Sequence, residues 1–243
     1  MKLFADGADF DGIIEAAKDL EIKGFTTNPT LMRKAGVTDY VKFSQSLIEY
    51  LYNKRPDTCL SLEVFADDNE GMIRQAREID SWSDEYPVYV KIPVMNTKGE
   101  STEEVISVLS NEGIKLNVTA VFTIDQVRDI VKCITKDTPT IISVFAGRIA
   151  DLGHNPIHIM EEAIQIIDAG LRNYPNKTTE LLWASPREAY NYIEASNIGC
   201  DIITMTPDLI KKVKGFRSKS LEQFSKETVQ MFCNDAVASG FKI

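Results

Sequence analysis

The sequence predicts a (β/α)8 barrel, a closed ring of eight parallel strands in which a helix follows each strand. Three observations lead to this fold class. The chain has 243 residues, of which 44% are hydrophobic, and this length and core content are common for such barrels. Short apolar runs alternate with helical segments along the chain. Eight such units in a row favour a closed barrel over an open sheet.

The eight predicted strands are separated by roughly 20–40 residues, the length that one strand, one helix and two loops require. They begin near Lys2, Gly24, Leu60, Val88, Lys115, Thr140, Thr179 and Asp201. The sequence shows no linker that would divide the chain. The prediction is therefore one barrel domain over residues 1–243, in which residues 215–243 form a C-terminal extension that packs on the barrel or on a neighbouring subunit.

Helical periodicity is clear in two of the intervening or flanking segments. The helix predicted from Tyr40 has apolar side chains on one face, at Val41, Leu47, Ile48 and Leu51. A further helix, Leu221–Ser239, follows the eighth unit. It has no strand partner, so we expect it to pack on the outside of the barrel or on another subunit.

Charge and composition exclude several classes of function. The net charge is −9, with 36 acidic and 27 basic residues, whereas nucleic-acid binding needs a basic face. No apolar run approaches the roughly 20 residues of a membrane helix, and the N-terminus does not resemble a signal peptide. The four cysteines are far apart and form no CxxC motif, which indicates reduced thiols in a cytoplasmic protein.

Metal and nucleotide cofactors have no support in the sequence. The two histidines, His154 and His158, are separated by Pro156, which places the first outside the following helix. The chain has no GxGxxG motif after a strand and no P-loop. We therefore predict an enzyme without a metal or cofactor.

Polar residues interrupt the predicted strands near their carboxyl ends, although strands of a parallel barrel are usually apolar. Active sites of barrel enzymes lie at this end, so seven strands that deliver polar groups there predict a catalytic site. In strand order the interruptions and their neighbours are Asp6; Asn28; Glu63; Lys91; Asn117 and Thr119; Ser143, Phe145 and Arg148; and Ser185 and Arg187.

Lys91 is the residue on which the functional prediction depends. It lies between Val90 and Ile92 in an apolar strand, where a charged amine is costly. Burial favours the neutral form of an amine, which is a nucleophile toward carbonyl carbons. The alternative is that Lys91 extends to the strand end and pairs with a carboxylate. We favour the nucleophile because Asp6 and Glu63 converge on the same mouth.

The other candidates also have plain structural alternatives. Arg148 and Arg187 follow strands on the side of the barrel where phosphate sites are common, but they could be a loop surface residue and a residue of the next helix. Asp6 and Asn28 could be simple turn residues. Their convergence with Lys91 favours the functional interpretation.

Five motifs together resemble the transaldolase family, and more narrowly its short branch, which includes the fructose-6-phosphate aldolases. The resemblance runs in order along almost the whole chain, up to about Leu209. The motifs are GFTTNPTL from Gly24, VKIPV from Val90, LNVTAVF from Leu116, SVFAGRIAD from Ser143 and ASPR from Ala184.

This resemblance implies a Schiff-base enzyme that transfers a dihydroxyacetone unit between sugar phosphates. Lys91 matches the Schiff-base lysine and Asp6 the acid/base of carbon–carbon cleavage. Glu63 and Thr119 match the pair that positions a water and shuttles protons. The resemblance also assigns the dihydroxyacetone hydroxyls to Asn28, Asn117 and Ser143, and the phosphate to Arg148, Ser185 and Arg187. Short members of the family are commonly ring-shaped decamers built from pentamers.

Several functions stay open at this point. The lead hypothesis is a transaldolase of the pentose phosphate pathway, because Glu63 and Phe145 resemble the transaldolases, whereas the fructose-6-phosphate aldolases tend to have Gln and Tyr. The alternatives are an aldolase that releases free dihydroxyacetone and a transaldolase for a specialised or sulfonated sugar. A catalytically silent barrel is the alternative of another class, but such a barrel has no reason to bury a lysine.

Overall fold

The computed structural model, which describes residues 1–171, 178–216 and 218–242, confirms the predicted fold class. Eight parallel strands pair in chain order, and the eighth pairs with the first to close the barrel. The strands are β1 (Lys2–Asp6), β2 (Ile22–Thr26), β3 (Leu60–Glu63), β4 (Val88–Pro93), β5 (Leu116–Val121), β6 (Thr140–Val144), β7 (Thr179–Trp183) and β8 (Ile202–Met205). Each strand begins within two residues of its predicted start.

Helices follow every strand, and the described part of the chain contains eleven. They are α1 (Phe10–Ala17), α2 (Pro29–Lys34), α3 (Tyr40–Lys54), α4 (Asn69–Asp80), α5 (Glu103–Asn111), α6 (Ile124–Cys133), α7 (Ala146–Asp151), α8 (Pro156–Leu171), α9 (Asn191–Asn197), α10 (Pro207–Lys214) and α11 (Leu221–Ala238). Within the described residues, no helix is both long and apolar enough to cross a membrane.

The predicted buried face of α3 is right at three positions and wrong at one. Leu47, Ile48 and Leu51 are buried, whereas the side chain of Val41 is 46% exposed. Ser44 takes the buried position in the first turns instead. Val41 lies seven residues before Ile48 and so on nearly the same side of the helix, but it is the second residue of α3 and belongs to its first turn.

An apolar layer fills the lower half of the barrel interior. Phe4 packs there with Ile141, Leu182 and Ile202. The ring of Phe4 fits only because position 24 is glycine, since a Cβ at Gly24 would lie 2.5 Å from a ring carbon. The polar side chains near the strand ends therefore lie above an apolar layer.

Helix α11 ends close to its predicted boundary, but the structure buries none of its side chains. Leu221, Phe224, Phe232 and Val237 are all more than half exposed. Where this helix packs, on the barrel or on a neighbouring subunit, stays a prediction, and with it the role of residues 215–243.

Candidate active site

The strand register brings the predicted polar residues to one end of the barrel interior. Glu63 pairs with Lys91 and Lys91 with Asn117 across neighbouring parallel strands, so their side chains point to the same side. A cavity of about 90 Å³ lies at this end. Its lining is Asp6, Thr26, Asn28, Lys91, Asn117, Thr119, Ser143, Phe145, Arg148, Leu182, Ala184, Ser185 and Thr204.

Lys91 lies in this cavity wall and is 7% exposed. Its Nζ is 3.0 Å from a carboxylate oxygen of Glu63 and donates a hydrogen bond to the backbone carbonyl of Thr27 over 2.8 Å. The carboxylate partner is thus present, as one reading of the sequence predicted, but it lies inside the barrel mouth. The amine is fixed by two acceptors and faces the cavity, where a carbonyl carbon could reach it.

The end of β3 is held in place from the adjacent helix α3. The Tyr40 hydroxyl donates a hydrogen bond to the backbone carbonyl of Glu63 over 2.8 Å. Burial raises the pKa of Tyr40 well above its usual range, and the nearby charge of Glu63 acts in the same direction. Tyr40 is therefore a neutral donor that supports the strand end on which the carboxylate depends.

Asp6 ends β1 and accepts a hydrogen bond from the Thr26 hydroxyl over 2.7 Å. Burial raises the pKa of Asp6 above its usual value, and it outweighs the opposing effects of the Lys91 charge and the Thr26 hydrogen bond. The charge of Glu63 adds to the increase. A carboxyl group whose pKa lies closer to neutrality is better suited to accept and return a proton.

Asn117 and Ser143 are joined in a short buried network. The Ser143 hydroxyl donates to the amide oxygen of Asn117 over 2.7 Å, and the amide nitrogen of Asn117 donates to the hydroxyl of Ser61 over 3.1 Å. These bonds fix the orientation of the amide group. The cavity therefore has a rigid polar wall on the side of β5 and β6.

Backbone irregularities accompany this wall. The register between β5 and β6 shifts after Val118, and Ala120 has a φ of 57°. Such bulges often re-aim side chains beside active sites. Thr119 lies within the irregular stretch and lines the cavity.

Asn28 begins α2 and also lines the cavity. It lies two residues beyond the end of β2, not within the strand as predicted. Its amide oxygen accepts a hydrogen bond from the backbone N–H of Leu31 over 2.9 Å and caps the helix. The amide oxygen of Asn28 thus has the local structural role that the sequence offered as an alternative. The amide hydrogens can still donate hydrogen bonds to a ligand.

Arg148 and Ser185 lie together on the opposite side of the mouth. The guanidinium carbon of Arg148 is 5.2 Å from the ring centre of Phe145, a cation–π geometry. Ser185 has a φ of 59°, and a Cβ on Gly147 would lie 1.6 Å from its carbonyl oxygen. The absence of a side chain at Gly147 therefore lets α7 pack directly on the loop that carries Ser185.

Arg187 is the predicted site residue that lies furthest from this arrangement. It does not line the cavity, and its guanidinium binds the carboxylate of Asp151 through Nε, at 2.9 and 3.0 Å, and through a terminal nitrogen. Both side chains are about half exposed. A phosphate that bound Arg187 would have to share or displace this carboxylate.

Comparison with known proteins identifies the family of this chain. The family model described as "Transaldolase/Fructose-6-phosphate aldolase" matches residues 3–243. The chain belongs to this family. A protein of Caldicellulosiruptor saccharolyticus named "Probable transaldolase" is 35% identical over 229 residues, which cover 93% of this chain and 96% of that protein. One from Methanococcus maripaludis with the same name is 32% identical, with 88% and 89% covered.

Solved structures of low sequence identity share the fold. A 3-hexulose-6-phosphate synthase from Salmonella typhimurium has a TM-score of 0.54 at 12% identity, with 85% of this chain and 89% of that chain covered. A monomeric dihydrodipicolinate synthase variant has a TM-score of 0.57 at 10% identity, with 93% and 78% covered. At these identities the likeness shows the barrel alone. The family membership rests on the sequence matches.

Two polar residues of the cavity in this transaldolase-family chain were missed by sequence reasoning. Thr26 and Thr204 line the cavity and lie within hydrogen-bond distance of each other. Thr204 extends the pattern to β8, so that all eight strands or their following residues bring a polar group to this end. The signal was a polar residue within the apolar run IITM, but threonine is common in strands and does not stand out.

Proposed function

We propose that this chain is a transaldolase, which moves a dihydroxyacetone unit from a ketose phosphate to an aldose phosphate through a Schiff base on Lys91. Family membership supports an aldolase or transaldolase enzyme, and relatives that share about a third of the sequence are named for the transferase. The observation that carries the assignment is the buried amine of Lys91, 3.0 Å from the Glu63 carboxylate.

Imine formation uses the two groups that are already in contact. Glu63 takes a proton from the Lys91 ammonium, and the neutral amine attacks the ketose carbonyl carbon. Loss of water from the resulting carbinolamine leaves a protonated imine. Glu63 returns the proton that this water needs, and Thr119, which lines the same cavity, holds the departing water.

Cleavage and transfer depend on Asp6. The carboxylate takes the proton of the hydroxyl beside the breaking carbon–carbon bond, and the bonding electrons move into the iminium to give an enamine. The first aldehyde then leaves. When an acceptor aldehyde arrives, the enamine carbon attacks it, and Asp6 returns its proton to the new hydroxyl.

Binding of the substrate is assigned to the rigid polar walls. We assign the hydroxyls of the dihydroxyacetone unit to Asn28, Asn117 and Ser143, which line the cavity. We assign the phosphate to Arg148 and Ser185, which also line it, and to Arg187 if Asp151 releases it. Phosphorylated sugars, a pentose phosphate role, a cytoplasmic location and a ring-shaped homo-oligomer are parts of this proposal.

Phe145 favours the transferase over an aldolase that releases free dihydroxyacetone. Its ring lines the cavity and has no hydroxyl to orient a water toward the imine. An enamine that is shielded from water and proton donors can persist until an aldehyde arrives. The same geometry would serve a specialised or sulfonated sugar, and a silent barrel would have no use for the buried amine.

The test combines trapping with product analysis. Borohydride added with fructose 6-phosphate should reduce the imine and leave a covalent adduct on the peptide that contains Lys91. Lys91→Met should abolish trapping and activity, whereas Lys98→Met, at an exposed lysine of the loop after β4, should change neither. Addition of erythrose 4-phosphate should give transfer products. Trapping that survives in Lys91→Met would refute the assignment, and efficient cleavage without an acceptor would assign the aldolase instead.

A further inference from the structure

Two threonines form a hydrogen-bonded chain that ends on Asp6. The Thr26 hydroxyl donates to Oδ1 of Asp6 over 2.7 Å, and its oxygen lies 2.6 Å from the hydroxyl oxygen of Thr204. Thr26 has a single hydroxyl hydrogen, so the hydrogen between the two threonines comes from Thr204. Since β1 pairs with both β2 and β8, the chain joins three neighbouring strands.

Burial alone does not account for this arrangement. Thr26 and Thr204 are 3% and 6% exposed, and buried hydroxyls generally find some partner. However, the hydroxyl of Thr179 in β7 is also buried and has no hydrogen-bond partner among the described residues. Among the described residues the barrel thus holds a buried threonine without a partner, whereas Thr26 and Thr204, from different strands, are bonded in one chain that ends on a carboxylate in the cavity wall.

We propose that Thr26 and Thr204 are positioning residues that aim the Asp6 carboxylate into the cavity and hold it ready to accept a proton. This inference rests on the proposed function, in which Asp6 is the acid/base. The chain can also reverse, because each hydroxyl both donates and accepts. When Asp6 carries a proton on Oδ1, it donates to Thr26, and Thr26 then donates to Thr204.

Other charged groups also act on Asp6, and the threonine substitutions leave them in place. Lys91 in β4 and Glu63 in β3 face it within the barrel mouth. On the other side of β1, Asp9 and Lys34 line an apolar cavity to which Asp6 also contributes. A difference between threonine variants therefore reports on the hydroxyl that was removed.

The experiment replaces each hydroxyl with a methyl group of similar volume. Removal of the Thr26 hydrogen bond destabilises the ionised carboxylate, so in Thr26→Val the acid limb of the kcat/KM profile should move up by about one pH unit. In Thr204→Val the hydrogen bond from Thr26 to Asp6 remains, but the Thr204 hydroxyl no longer polarises it. The acid limb should therefore move up by a smaller amount, about 0.3 pH unit. Thr26→Ser and Thr204→Ser should restore the parent profile.

Controls separate this inference from the proposed function. Thr179→Val removes a buried hydroxyl that has no partner in the described part of the chain and should leave the profile unchanged. Asp6→Asn removes the proposed acid/base and should abolish activity, so it serves to assign the carboxyl signal of Asp6 in the NMR titration. The titration of the Asp6 carboxyl carbon, followed by NMR in the free protein, should show the same shifts and requires no turnover. If the titration curves of Thr26→Val and Thr204→Val match that of Thr179→Val, the proposed positioning role of the two threonines is overturned. Failure of borohydride trapping in the parent protein would instead overturn the proposed function.

Discussion

Arg187 offers a sharp test of phosphate recognition, because the structure shows it engaged by a competing anion. Its guanidinium makes a two-pronged contact with the carboxylate of Asp151. The Arg187 hydrogen bond holds the pKa of Asp151 below its usual value, so the carboxylate is ionised at neutral pH. A substrate phosphate must therefore compete with Asp151 for the same donors.

The expected magnitudes follow from the exposure of the pair. An ion pair between half-exposed side chains is screened by solvent and contributes little, although a two-pronged contact lies near the upper end of that small range. Asp151→Asn should therefore lower KM for a phosphorylated donor by no more than about 5-fold. Arg187→Ala removes hydrogen bonds to a charged group, each about 1.5–3 kcal/mol. It should raise that KM by about 10- to 150-fold.

The assay compares a phosphorylated donor with free dihydroxyacetone, which has no phosphate to bind. Neither substitution should alter KM for the free donor by more than about 2-fold, given the small energies of exposed pairs. Arg128→Ala is the matched control, because Arg128 has the same 46% side-chain exposure as Arg187 and pairs with Asp125 and Glu162 on the outer helices. Equal effects of Arg187→Ala on both donors would mean that the arginine is structural. An unchanged or higher KM in Asp151→Asn would refute the competition.

Three further predictions concern assembly, stability and reaction outcome. Phe224→Glu combined with Phe232→Glu should lower the mass by light scattering at micromolar concentration, because exposed α11 is expected to join subunits; a monomeric parent would contradict this. Arg55→Met should lower the unfolding free energy by about 3 kcal/mol and Tm by about 6–12 °C, because Arg55 is 5% exposed and binds three backbone carbonyls. Arg77→Met, at an exposed arginine, is the control, and equal Tm values for the two variants would contradict the prediction. Phe145→Tyr should raise release of free dihydroxyacetone and lower transfer, measured without and with acceptor; an unchanged ratio would mean that the ring only fills the mouth.

The fold was predictable because its signals are local and repeated. Each strand is a short apolar run, and the helices carry their own capping residues and periodicity. The error at Val41 arose in the first turn of α3, where the apolar position is exposed and Ser44 is buried. Helical periodicity alone does not show how far toward the start of a helix its packed surface extends. The position of α11 was not predictable in this way, since its apolar side chains indicate a partner without indicating which one.

The sequence predicted which residues belong to the candidate site better than it predicted which of them contact each other. A lysine or glutamate inside an apolar strand is costly, so Lys91 and Glu63 stand out in the sequence. Their mutual contact depends on the register of β3 against β4, which one sequence does not specify residue by residue. The pairing of Arg187 with Asp151 was missed for a related reason, because both lie on loops and helix ends whose approach depends on Gly147.

The pairings themselves explain how a barrel can tolerate so many polar groups at one end. Each unpaired buried polar group costs free energy, whereas a hydrogen-bonded one costs little. Here the polar layer divides into sets that each cross between strands: Lys91 with Glu63, Asp6 with Thr26 and Thr204, and Asn117 with Ser61 and Ser143. Each set is internally bonded and faces the same cavity. A change in one set therefore leaves the hydrogen bonds of the others in place, although the charges of Lys91 and Glu63 still act on the pKa of Asp6. Hydroxyl binding by the uncharged set of Asn117, Ser61 and Ser143 is the step that can be perturbed most independently.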